Sequence, residues 1–211
     1  MTELKKITGT KVEKAGTTGI CAGANLRTPC GPRRVEYLRQ GDLVVTRDNG
    51  LQPVRMIWTR TVTAAEIAAD PSLAPVTLKP RAIAPMMPQK DVAVGGGHRL
   101  LIPGWRLGDE DATENSLVAA RDVEGLAGSN PDREPKETTY YNIVFEEPQV
   151  FHANGMPVES FTPTTDSMKN IPKDVKAILR ETFPDLGPKY KNYPAPVYKM
   201  RARQSYMPDF A

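Results

Sequence analysis

The chain is poor in the residues that usually carry chemistry. Its 211 residues include two cysteines, Cys21 and Cys30, and two histidines, His98 and His152. Two cysteines do not make a disulfide framework, so both are expected as reduced thiols. Two Cys and two His could in number complete a zinc site, but their spacing fits no finger pattern, and no metal or other cofactor is expected. No apolar run approaches the ~20 residues that span a bilayer. The opening residues, MTELKKITGTKVEKAGTTG, carry charge without an apolar stretch, so they do not read as a secretory signal. Synthesis in the cytoplasm is expected. A dominant charge is missing too. Twenty-eight basic residues against 25 acidic give +3, and no basic block is interleaved with aromatics, so a nucleic-acid partner is not expected.

What the chain does have is proline (20 residues) and a hydrophobic content of 39%, which together favour loops, short strands and extended arms over long helices. The first 18 residues are polar and read as an arm. From 19 to 62 the texture is β. Asn49 followed by Gly50 is a hairpin signal, because a type I′ turn needs positive φ at both central residues. The stretch 63–73 reads as one short helix that stops before Pro71. VTLKPRAIAP and KDVAV read as strands, followed by glycines at 95, 96 and 97, His98, and a strand ending at Pro103. Residues 115–126 read as a short strand or a turn-rich segment, and 127–138 as a polar loop. Strands are expected over 139–146 and 149–161, the second broken at Asn154 and Gly155. Val175, Ile178, Leu179 and Phe183 fall at helical spacing, which predicts a helix over 172–183 behind Pro172. A Pro- and Tyr-rich tail ends the chain. The expected division is an arm at 1–18, a β domain at 19–165, and a helix plus arm at 166–211.

Each candidate for chemistry has a plain structural alternative. A buried Cys21 can be simply a small hydrophobe. A thiol can also attack the carbonyl of the residue before it, turning an amide into a thioester, provided that a donor protonates the departing nitrogen. His98 could be that donor, or a histidine between a glycine-rich turn and an apolar strand with no chemical task. Cys30 lies beside a turn glycine and reads as structural.

Three blocks taken in order carry a family resemblance. AGANLRTPCGPRRVEYLRQGDLVVTRDNGLQPVRMI has Gly23, Thr28, Gly31, Val35, Glu36, Leu38, Gly41, Asp42, Val44 and then Gln52, Pro53 and Val54. VGGGHRLLIPG centres on His98, and YNIVFEEPQVFHANGMPVESF closes the series with an Asn-Gly turn. This resembles the Hint (Hedgehog/intein) family, in an alphaproteobacterial-type branch, over 19–163. The resemblance implies an all-β, horseshoe-like fold with a short C-terminal helix and extended terminal arms. It also implies a Cys or Ser just before the first glycine block, where ungapped alignment puts Gly19; Cys21 lies two places later. Gly95 stands where the family carries Thr or Ser, and Glu159 and Ser160 where inteins carry the terminal His-Asn pair. Splicing is therefore not expected. The leading expectation is a structural or interaction component of an assembly (a virion or a secreted particle), contacting protein subunits, homo- or hetero-oligomeric, through both arms. The alternative is self-cleavage between Ile20 and Cys21, with Cys21 as nucleophile, His98 as proton donor, and His152 and Asn154 shaping the site.

Overall fold

The computed structural model describes residues 17–106, 114–123, 129–131, 135–169 and 171–201. Among these residues the chain forms fourteen short strands and two helices. In chain order they are β1 (Ile20–Cys21), β2 (Asn25–Thr28), β3 (Gly31–Arg34), β4 (Leu43–Val45), β5 (Leu51–Pro53), β6 (Met56–Val62), α1 (Ala64–Ala69), β7 (Pro75–Leu78) and β8 (Val92–Gly95). They continue with β9 (Arg99–Ile102), β10 (Ser116–Ala119), β11 (Ser129–Pro131), β12 (Thr138–Val144), β13 (Val150–Ala153), β14 (Met156–Glu159) and α2 (Lys173–Thr182).

Two six-stranded sheets and a hairpin organise the strands. One sheet runs β11-β7-β8-β1-β12-β6, the other β10-β9-β14-β13-β2-β3, and β4 pairs with β5. β1 is only two residues long, yet it lies centrally, paired on both sides: Ile20 faces Tyr141 across one ladder and Val94 across the other. This central placement fixes the backbone just ahead of it. Leu26, Phe145, Phe151, Leu100 and Val158 are buried in one core that draws on both sheets. Removing a large apolar side chain of this kind from water contributes about 1.5–3 kcal/mol each.

The two Asn-Gly pairs behave differently. Asn154 (φ 50°) and Gly155 (φ 85°) both take left-handed backbone in a two-residue turn that pairs Ala153 with Met156. At the other, only Gly50 has positive φ, and the connection spans 46–50. The Thr46 side chain explains the longer loop: its Oγ1 donates to the Gly50 carbonyl at 2.8 Å and accepts from the Asn49 N–H at 3.3 Å. The helix expected over 63–73 is α1 followed by a 3-10 turn, Pro71–Leu73. It begins with a capping box in which Thr63 and Glu66 satisfy each other's backbone N–H groups. Within the expected loop 127–138, Ser129–Pro131 is an edge strand on β7; its partner's unpaired main chain, not an apolar pattern, determines it.

α2 lays Leu179 into a second cluster with Trp58, Val144, Phe161 and Met168. Trp58 and Phe161 meet edge to face at 5.2 Å. The chain then returns to the domain. Phe183, Leu186 and Tyr193 join the same cluster, and the Tyr193 hydroxyl donates to the Phe145 carbonyl at 2.8 Å. Further on, Leu117 of β10 donates its N–H to Lys199 and accepts from Arg201, so an extended tail runs parallel to the edge of the second sheet. The C-terminal arm through residue 201 thus docks on its own domain. The expected arm segments 1–16 and 202–211 lie outside the described residues.

Candidate functional site

The peptide bond between Thr18 and Gly19, immediately before β1, is held from both ends. The Gly19 N–H donates to His98 Nδ1 at 3.2 Å. The Thr18 carbonyl accepts from Asn142 Nδ2 at 3.4 Å, and the Thr18 hydroxyl donates to Asn142 Oδ1 at 3.0 Å. β12 supplies Asn142, which is buried, and the turn between β8 and β9 supplies His98. The glycine turn also holds the chain on either side: Gly97 N–H donates to the Thr17 carbonyl at 2.9 Å and Gly95 N–H to the Gly19 carbonyl at 2.8 Å.

His98 is almost wholly buried, and burial, assisted by the neighbouring Arg99 charge, lowers its pKa from 6.5 to about 3. The ring is therefore neutral at neutral pH. Because Nδ1 accepts from Gly19, the proton resides on Nε2, which has no hydrogen-bond partner among the described residues. The Asn142 amide on the carbonyl oxygen polarises the bond, whereas the neutral imidazole accepts from its nitrogen and would have to gain a proton at Nδ1 before it could protonate a departing amine.

The missing part is a nucleophile. Residue 19 is glycine, and its backbone excludes anything else. Its φ is 117°, and a Cβ there would come within 2.9 Å of both Asn142 Nδ2 and Tyr140 Cβ. Gly95 is constrained by a different contact, the main chain of residues 17 and 18. A Cβ on it would collide with the Thr17 carbonyl, so the close seat of residues 17–19 on the glycine turn depends on bare backbone at 95. The two glycines meet different neighbours: residue 19 lies against Asn142 and Tyr140 of β12, and residue 95 against the main chain of Thr17 and Thr18.

The four candidates from the sequence are not assembled around one bond. Cys21 is buried with Val62, Ile67, Ala74 and Tyr140. His98 is committed to the Gly19 amide, two residues upstream of Cys21. His152 belongs to β13 in the other sheet and is half-buried against a groove; burial, then Arg27 and Arg47, hold its pKa below the usual histidine value. Asn154 is fully engaged: Oδ1 accepts from the Asn25 N–H at 2.9 Å and from Asn25 Nδ2 at 3.3 Å, and Nδ2 donates to the Asp91 carbonyl at 2.6 Å. It stitches together three parts of the chain. Asn142 was missed by sequence reasoning, although its place in Tyr-Asn-Ile-Val, where the closing block of the resemblance has Asp, was a usable signal.

The chain-terminal chemistry of an intein is replaced as well. Glu159 is buried and ion-paired with Arg99 at 2.9 Å, while Ser160 Oγ accepts the Gln149 N–H at 2.9 Å. Burial pushes the Glu159 pKa up, against the pull of Arg99 and Thr162.

The model of the Hint domain family matches residues 18–165. The chain belongs to the Hint family. No curated protein matches it. Among solved structures, it is similar to a bacterial intein-like domain from Clostridium thermocellum, at 14% identity and a TM-score of 0.45, covering 69% of this chain and 99% of that one. It is also similar to the gp41-1 intein, at 12% identity and a TM-score of 0.41, covering 67% and 98%. A splice-inactive variant of the AceL NrdHF split intein stands at 10% identity and a TM-score of 0.41, covering 67% and 96%. The Hint domain here is thus an all-β fold in which His98 and Asn142 hold the bond before a glycine. No helix among its described residues is long and apolar enough to cross a membrane.

Proposed function

We propose that this Hint domain has lost splicing and self-cleavage and serves as an interaction component of a larger protein assembly, such as a virion or a secreted particle. The observation that carries the reading is the clamped bond between Thr18 and Gly19. Its nitrogen and its oxygen are both gripped, yet residue 19 has no side chain to attack with. An acyl shift moves a carbonyl from nitrogen to a side-chain oxygen or sulfur, and glycine offers neither. The competing reading, attack by Cys21 on the Ile20 carbonyl, draws no support from the geometry. Its thiol is packed among apolar side chains, and the only buried imidazole among the described residues is occupied elsewhere.

The assembly half of the reading draws on the mode of docking seen in the tail. An extended segment gains main-chain hydrogen bonds by lying along an open sheet edge, as 199–201 does on β10. Contact of the same kind with neighbouring subunits is what we propose for the terminal arms. Sedimentation velocity over a range of concentrations tests this. Concentration-dependent association that disappears on deleting residues 1–16 is expected; a full chain that stays monomeric throughout would contradict it.

A further inference from the structure

A groove of about 830 Å³ opens between the β2 and β3 hairpin, the loop 86–90 and the turn after β13. Its accessible apolar lining comes from half-buried Val45 and exposed Met86, and its charged lining residues are Arg27 and Lys90. No Asp or Glu lines it. Neither cation has a carboxylate partner among the described residues, and the carboxylate nearest in sequence, Asp91, is already held by Lys79 at 2.6 Å. The His152 ring enters the same groove and makes no hydrogen bond among the described residues. Other basic side chains on this hairpin are paired: Arg33 with Asp42 and Arg34 with Glu36. Two unpaired cations beside an apolar lining, with a neutral imidazole between strands, complement a ligand that alternates carboxylate and apolar groups.

The groove also touches Gly31 and Pro32 of β3, the last strand of its sheet. Pro32 has no N–H to offer an added strand, so recognition at this groove falls to side chains. Two cations without an aromatic stacking platform do not suit a nucleic-acid strand, which needs both. We infer that this groove binds an extended acidic peptide segment of a partner protein, with carboxylates on Arg27 and Lys90 and apolar side chains over Val45 and Met86. The inference rests on the reading that the protein works by contact, and it names the chemistry of one partner.

Fluorescence anisotropy with a fluorescein-labelled octapeptide of alternating Glu and Leu, added to the full chain at low salt, tests it. Saturable binding is expected, weakened about tenfold by the double variant R27Q/K90Q, whose melting temperature stays at the wild-type value because both side chains are exposed and unpaired. The matching Gln and Leu peptide should bind about tenfold more weakly than the acidic one. In imidazole NMR, the His152 resonance should move on binding and its titration shift upward, as a carboxylate offsets Arg27 and Arg47; His98 should not respond. Absence of binding, binding unchanged in the double variant, or equal competition by citrate or by an oligothymidylate would overturn the proposal. Intact mass recorded on the same samples separates the two ideas. A cleaved chain that still binds peptide would remove the contact-only reading, whereas an intact chain that binds nothing would remove the groove alone.

Discussion

At the scale of single residues, Gly19 decides the chemistry. Any side chain there meets two costs: left-handed backbone at φ 117° and a Cβ pressed against Asn142 and Tyr140. Gly19→Ala is expected to lower stability by about 2–4 kcal/mol in urea denaturation, more than a typical surface substitution. A cysteine placed at 19 would therefore disturb the contacts around it. His98 gives a second residue-scale prediction. Its folded pKa, about 3, is depressed below the unfolded 6.5, so between these values the unfolded chain binds the extra proton. The stability it contributes is fully present above pH 6.5 and is lost as pH falls towards 3. Glu159, whose folded pKa is raised, acts in the opposite direction above its unfolded value of 4.5. Unfolding free energies at pH 7 and pH 5 should differ by about 1–2 kcal/mol, with wild type weaker at pH 5, and His98→Gln should flatten that slope.

Among elements, the C-terminal helix and the turns show how far sequence reading reaches. α2 was legible from Val175, Ile178, Leu179 and Phe183, because an amphipathic helix writes its buried face into its spacing, although Ile178 falls outside that face and is 49% exposed. Leu179→Ala should cost about 2–5 kcal/mol, read by thermal or chemical denaturation, since the side chain is fully enclosed under Trp58 and Met168. The turn at Asn154 and Gly155 was legible because left-handed backbone at two successive positions demands those residues. At Asn49 and Gly50 the same dipeptide predicted the hairpin but not its loop, because a threonine hydroxyl three residues upstream took over the turn. The tail beyond α2 gave no periodic signal. Its docking depends on the edge of β10, which is distant in sequence. Asn154→Ala should free Asn25 and Asp91 together and destabilise by about 1–3 kcal/mol, by loss of three hydrogen bonds at one side chain.

Taken whole, the molecule is a Hint fold in which the bond held by His98 and Asn142 precedes a glycine. The family and the vacancy at residue 19 were legible, because both are written in local blocks around Gly23, His98 and Asn154. The partner of His98 was not, because the register that sets β1 between β8 and β12 brings residues 19, 98 and 142 together from three distant parts of the chain. The same register explains why Asn142 escaped notice: as a strand residue it looks ordinary, and only the fold aims its amide at the Thr18 carbonyl. The most direct test of chemical silence is intact-mass spectrometry of the full chain after prolonged incubation with dithiothreitol or hydroxylamine at neutral pH. The account predicts one undiminished full-length mass; a fragment starting at Gly19 or at Cys21, absent from the corresponding His98→Gln or Cys21→Ala variant, would contradict it.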